Sequence, residues 1–113
     1  MSKPTNRTYS RYTESAMQLL AGLIREARLE RKMTAQEVAD RAGISRGLLQ
    51  RIEKGDLKCE IGAAFEVALI VGVHLFGMED EANLEFQLKQ NKARLALMPK
   101  SIRKTNRQAK DDF

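Results

Sequence analysis

Apolar residues along this chain recur at three- and four-residue spacings, and no run alternates with period two, so the pattern predicts helices and no strands. From Thr13 to Arg31 the positions Met17, Leu20, Ala21, Ile24, Ala27 and Arg28 form one stripe, an amphipathic helix capped by Thr13 or Ser10. Thr34-Ala35-Gln36-Glu37 follows as a capping box: the Thr34 hydroxyl accepts a backbone N–H and Glu37 reaches back to the N–H of Thr34. The helix it opens is short and turns Val38, Ala39 and Ala42 inward, and Gly43 stands where a helix needs a left-handed residue to stop. Ser45 caps a third helix ending at Gly55. A fourth is expected from Glu60 to Val71 with Gly72 as its stop, then a turn over residues 73–76, then a last helix from Glu79 to Leu97, ahead of Pro99.

Two of these helices carry more apolar surface than one core face needs. Winding the fourth at about 100° per residue from Ile61 places Phe65, Ala68, Ala64, Leu69 and Val71 within about 80° of it. Ala63, Val67 and Ile70 fall at about 180–240°, where a surface helix is polar. That second face is expected to be covered by the last helix or by another subunit. In the last helix Leu84, Leu88, Asn91, Leu95 and Met98 step by 4, 3, 4 and 3, a short seam with one polar member. The seam either packs back on its own domain or makes a dimer or partner surface. Glu79, Asp80 and Glu81 are placed in its first turn, where they suit the helix dipole.

The second and third helices, joined by a turn at Gly43-Ile44, make a helix-turn-helix pattern. Setting Arg46 at 0° puts Gln50 near 40°, Lys54 near 80°, Gly47 near 100° and Arg51 near 140°, with Leu48, Leu49 and Ile52 between about 200° and 300°. One side is apolar and can pack. The other offers groups suited to G O6/N7, A N6/N7 and phosphate oxygens in a major groove, and Gly47 lets the backbone come close.

Charge sharpens this picture. The 113 residues are one domain's worth of chain with a net charge of +5 and a pI near 9.6, which fits a polyanionic partner. Residues 1–15 are net +2, 16–77 net +1, 78–98 net −1 and 99–113 net +3. The middle is almost neutral, so any DNA affinity there comes from the placement of charge, while the ends add a sequence-independent phosphate attraction or are simply solvated. The expected organisation is a flexible basic arm over 1–12, a helix-turn-helix DNA-binding domain over 13–77, a C-terminal helix over 78–98 and a flexible basic tail over 99–113.

The strings Thr34-Ala35-Gln36-Glu37-Val38-Ala39, Gly43-Ile44-Ser45-Arg46 and Ile52-Glu53-Lys54-Gly55 resemble the Cro/phage-repressor (Xre) family of helix-turn-helix proteins. The resemblance covers residues 16–77. It implies an all-α fold, a compact five-helix domain to which this chain adds a C-terminal helix and tail, binding operators as a dimer. It puts Ser45, Arg46, Gly47, Gln50 and Arg51 on base-reading positions and Thr34, Gln36, Lys54 and Lys58 near phosphates. It also implies a buried ion pair between Arg28 and Glu53. Many members carry Gln directly after the cap; here Ala35 stands there and Gln36 follows, so Gln36 or the helix's N-terminal amides would take over that phosphate contact.

A narrower likeness runs through residues 58–62, 64–68, 71–76 and 94–100 and the closing Asp111-Asp112-Phe113, which resemble HipB-like antitoxins, DNA-binding partners of HipA-family kinase toxins. It implies an autoregulator that represses its own operon and binds a toxin through the C-terminal helix and tail, with Leu95, Met98 and Phe113 as candidate contacts. A stand-alone or phage-type repressor with no toxin partner is the alternative, and a basic RNA-binding protein ranks below both, because the recognition face holds no aromatic.

The remaining chemistry is sparse. One His and one Cys allow no His-pair or multi-Cys metal site, and there is no Gly-rich phosphate loop, so no enzyme, metal or cofactor is expected. His74, amid Val73, Leu75 and Phe76, reads as a packing or helix-terminal residue. Five per cent aromatics and no Trp argue against a stacking platform for single strands. Residues 1–11 are polar, unlike a signal peptide, and the apolar stretch 61–77 is too short to span a bilayer, so a cytoplasmic protein is expected.

Overall fold

The computed structural model describes residues 8–102 and 104. Among them the chain forms α1 (Arg11–Glu30), α2 (Ala35–Ala42), α3 (Arg46–Glu53), α4 (Ile61–Val71), a single 3-10 turn (Leu75–Gly77) and α5 (Glu81–Ala96), with no strand. It divides into two units, Met1–Gly77 and Met78–Phe113. The fifth helical element of the first unit is therefore one 3-10 turn, with Phe76 in the left-handed region at φ 56°.

Capping fixes where the helices begin. Ser10 rather than Thr13 caps α1: its backbone is extended and its hydroxyl accepts the Thr13 N–H at 3.2 Å. Arg11 and Tyr12, expected in a flexible arm, are consequently helical, and residues 1–7 of that arm lie outside the described residues. At α2 the capping box is complete, with the Glu37 N–H donating to Thr34 Oγ1 at 3.0 Å and the Thr34 N–H to Glu37 Oε1 at 2.7 Å. These bonds, the Thr34 backbone N–H first, hold the Glu37 carboxyl below its ordinary range. Gly43 ends α2 at φ 70°, and the next N–H, that of Ile44, returns to the Ala39 carbonyl at 3.0 Å, a Schellman closure that turns the chain into α3.

The core of the first unit is wholly apolar. Ile24 of α1, Val38 and Ala39 of α2, Leu49 and Ile52 of α3, and Ala64, Val67, Ala68 and Val71 of α4 are buried against one another. Both α1 and α2 pack on α3 and on α4. The core side of α4 lies between the two faces read from its sequence. Val67, expected on a second, outward surface, is fully buried, and Ala63 and Ile70 pack half-buried against the core. Val67 is therefore core and not a dimer or partner contact, while Ala63 and Ile70 border the core with part of their surface outside. The side chains left outside on α4 are Ile61, Glu66 and Leu69, while Phe65 meets Phe76 edge-to-face with ring centroids 6.2 Å apart. His74 is exposed just past the end of α4, so it is helix-terminal and does not pack.

In the second unit Asp80 caps α5 by accepting the Asn83 N–H at 2.8 Å. Glu79 and Asp80 are thus outside the helix, and only Glu81 occupies its first turn. The helix closes at Leu97, short of Pro99. No residue of α5 is buried. No helix among the described residues is long and apolar enough to cross a membrane.

Polar ties complete the attachment of α3. Arg28 of α1 forks onto Glu53, Nε to Oε2 at 2.7 Å and Nη2 to Oε1 at 3.0 Å, and its remaining Nη1 donates to the Met33 carbonyl at 3.0 Å. The hydrogen bond to Glu53 raises the Arg28 pKa, against the opposing effect of burial. Gln18 of α1 donates to the Lys54 carbonyl at 3.1 Å, closing the far end of α3. Gly55 makes this possible: its φ is 79°, and a Cβ there would lie 2.5 Å from the Gln18 amide nitrogen.

With side chains only 12% and 10% exposed, the Arg28–Glu53 pair should behave as a buried one. Glu53→Ala is expected to cost about 3–5 kcal/mol in denaturant unfolding, because it strands a shielded guanidinium. A loss below about 1 kcal/mol would be the behaviour of a surface pair.

Candidate nucleic-acid interface

Helix α3 is anchored on one side and open on the other. Leu49 and Ile52 are completely buried and Leu48 half so, whereas Arg46, Gly47, Gln50 and Arg51 are exposed. An eight-residue helix has room for one core stripe and one outer stripe, and here the 3.6-residue period separates them without overlap. Ser45 caps the helix, accepting the Leu48 N–H at 3.0 Å. Its hydroxyl hydrogen remains available to donate outward.

Two shallow depressions flank the exposed ridge. On one side Ser45, Gly47 and Arg51 face Lys58 and Glu60. On the other Arg46, Gln50 and Lys54 line a hollow with Arg25 of α1, Ala35 of α2 and the Arg28–Glu53 pair. Because that pair neutralises itself, the second hollow presents three cations, Arg25, Arg46 and Lys54, with the first turn of α2 at its wall. Such a hollow suits a phosphate group.

The residues marked as phosphate contacts divide accordingly. Lys54 is in the second hollow and Lys58 in the first, where the Lys58 backbone N–H donates to Asp56 Oδ1 at 2.8 Å. Thr34 spends its hydroxyl on the α2 cap. Gln36 donates to Asp40 Oδ1 at 2.9 Å, one turn along its own helix, and Ala35 is the α2 residue that lines the hollow. Sequence reading missed Arg25. The signal was its spacing: three residues before Arg28 on one helix, it shares the face that meets α3.

Arg51 is not free. Its Nε donates to Asp56 Oδ2 at 2.8 Å across an exposed pair, which steers the guanidinium toward the Lys58 side of α3 and leaves its two terminal nitrogens as donors. The bond raises the Arg51 pKa and lowers that of Asp56, to which the Lys58 N–H adds. Burial raises the Cys59 thiol above its ordinary value, the opposite of an activated nucleophile. Among the described residues no cluster of His, Cys, Asp and Glu is placed to hold a metal ion.

A depressed aspartate keeps its pair above the ordinary aspartate pKa and loses it only as pH falls through the lowered value, so the Arg51 tether persists at neutral pH. The Asp56 carboxyl should titrate by NMR below its ordinary value, and Arg51→Gln should move the midpoint up. A wild-type midpoint at or above the ordinary value would show that the pair does not persist in solution.

Residues 24–75 match the helix-turn-helix family model HTH_3. No curated protein and no solved structure matches the chain. The matched span runs from the buried Ile24 of α1 through α4 to the 3-10 turn, so it takes in the whole core cluster and every residue lining the two hollows. Residues 24–75 therefore have the all-helical fold of a helix-turn-helix domain.

Proposed function

We propose that this protein is a sequence-specific DNA-binding repressor of transcription that acts as a homodimer on a palindromic operator. The observation that carries the reading is the division of α3 between a buried apolar side and an exposed side bearing Arg46, Gly47, Gln50 and Arg51. An α-helix fits the major groove of B-DNA, and its outer residues then meet base edges. Arg46 suits the O6/N7 pair of guanine, and Gln50 the N6/N7 pair of adenine. Gly47 removes side-chain bulk between them. Arg51, tethered through Nε, offers its terminal nitrogens to a base or an adjacent phosphate. Arg25 and Lys54 on one flank and Lys58 on the other are set to bracket the groove on its phosphates. A symmetric dimer then reads two half-sites as an inverted repeat.

The finer reading makes the chain an antitoxin that neutralises a HipA-like kinase and represses its own operon. It is supported by the likeness of residues 58–62, 64–68, 71–76 and 94–100 to HipB-like proteins; the matching residues 111–113, with Phe113, lie outside the described residues. Capture of a HipA-family kinase that is lost on Met98→Glu supports it, and failure to bind any such kinase leaves a stand-alone repressor.

Selection from a randomised duplex pool, read at two salt concentrations, tests the main reading. Enrichment of an inverted repeat is expected. Binding that enriches nothing and vanishes with salt would remove sequence recognition from α3.

On the selected duplex, Arg46→Ala should cost about 1–3 kcal/mol and relax preference at one base position. Equal losses on selected and random duplex would make Arg46 a phosphate contact. Arg25→Gln should weaken both duplexes alike and reduce the slope of log K against log salt by about 0.9, the share of one phosphate. An unchanged slope would take Arg25 out of the interface.

A further inference from the structure

The homodimer reading leaves open which surface joins the copies, and Val67 on the second face of α4 belongs to the core. The second unit supplies another candidate. Winding α5 at about 100° per residue from Leu84 places Leu88, Asn91 and Leu95 within about 40° of it, and Met98 follows just past the helix end. The four large apolar members of this stripe are 41%, 50%, 56% and 56% exposed, in chain order. Phe86 and Leu97 lie near the opposite side, at about 200–220°, separated by small or polar residues. Leu84 to Leu95 is thus the continuous helical seam, with alternating steps of four and three that assign Leu84 and Asn91 to d positions and Leu88 and Leu95 to a positions.

The edges of the seam choose its partner. Glu85 and Lys92 occupy the e positions and Gln87 and Arg94 the g positions. If two copies of α5 run parallel, g faces e of the next heptad, and Gln87 meets Lys92. That arrangement has no ion pair. If the copies run antiparallel, e faces e and g faces g. Leu84 then sits across from Leu95, Leu88 across from Asn91, Glu85 beside Lys92, and Gln87 beside Arg94. Every edge contact is now favourable, and the Glu85–Lys92 pair forms twice. The two Asn91 residues fall in the adjacent central layers, where each gives the other's amide a hydrogen-bond partner.

We infer that α5 pairs with α5 of a second copy of this chain, antiparallel, through Leu84, Leu88, Asn91 and Leu95 and bordered by two Glu85–Lys92 ion pairs. The contact is isologous, the symmetry that an inverted-repeat operator requires. It rests on the homodimer reading and gives that dimer its interface. At 16 residues α5 is about 24 Å long, so the seam is short and edge charges weigh heavily in its stability.

Charge reversal on the full chain tests pairing and direction together, with dissociation constants from sedimentation equilibrium and helix content from circular dichroism as the folding control. Glu85→Lys and Lys92→Glu should each weaken the dimer about 10-fold, since each turns two attractions into two repulsions. The double reversal should return it to within about 2-fold of wild type, since the pairs re-form with exchanged signs. Leu88→Glu should leave a folded monomer. A dimer indifferent to all of these would overturn the α5 interface while leaving the homodimer reading intact. A double reversal that stays as weak as the single reversals would overturn the antiparallel arrangement, because only there do Glu85 and Lys92 face one another. A wild-type chain that stays monomeric at every concentration would overturn both.

Discussion

The fork between Arg28 and Glu53 ties the first helix to the third at the one place where neither could be tied by apolar packing alone. Glu53 is the last residue of α3, and the buried pair Leu49 and Ile52 ends one position before it. The bidentate geometry fixes that end in rotation as well as in depth, and the third bond of Arg28, to the Met33 carbonyl, holds the turn leading into α2 against the same point. The Gln18 contact one residue later adds a second tie from α1. A recognition helix needs this, because a helix free to roll by one residue would present the apolar Ile52 where Arg51 now stands.

Placement of charge matters more here than quantity. Residues 16–77 are net +1, and the domain answers by pairing off charges that would oppose a phosphate chain or point away from it. Glu53 is neutralised by Arg28 and Asp56 by Arg51, while Glu37 and Asp40 keep their charge but are held along α2 by the Thr34 N–H and the Gln36 amide. Arg25, Arg46 and Lys54 then set the charge of the second hollow, whereas Glu60 stands with Lys58 and Arg51 in the first. The Arg51–Asp56 pair shows the cost: Asp56 orients Arg51 but occupies one of its donors.

Much of the fold was legible in the sequence because its stops and starts rest on local chemistry. The Thr34–Glu37 box, the left-handed Gly43 and Gly72 and the Ser45 cap each need only neighbours a few residues away, and each stands where the sequence put it. Face assignment on α4 failed for a physical reason. That helix is apolar nearly all round, with Glu66, at about 140° from Ile61, as its one charged side chain and the one mark of the exterior, and packing on α1 and α2 sets Val67 inside and Leu69 outside. At the start of α5 three acidic residues in a row left the cap ambiguous until Asp80 took the Asn83 N–H. In the candidate interface the α3 residues were readable from helical period alone. Arg25 was not, because its place depends on α1 lying beside α3. The Gln36–Asp40 bond was not foreseen either, since either side chain could have turned outward.

The central claim is that one face of α3, with its two flanking hollows, is where this protein meets a DNA duplex. Amide and arginine side-chain NMR shifts, followed as a duplex carrying the selected inverted repeat is added, test it most directly. The account predicts the largest changes at Ser45–Arg51 and Lys54, with Arg25 on one flank and Lys58 on the other, and little change at the buried Val67 and Val71 of α4. Changes concentrated on the exposed outer side of α1, at Leu19, Leu23 and Leu29, with α3 unmoved, would contradict it.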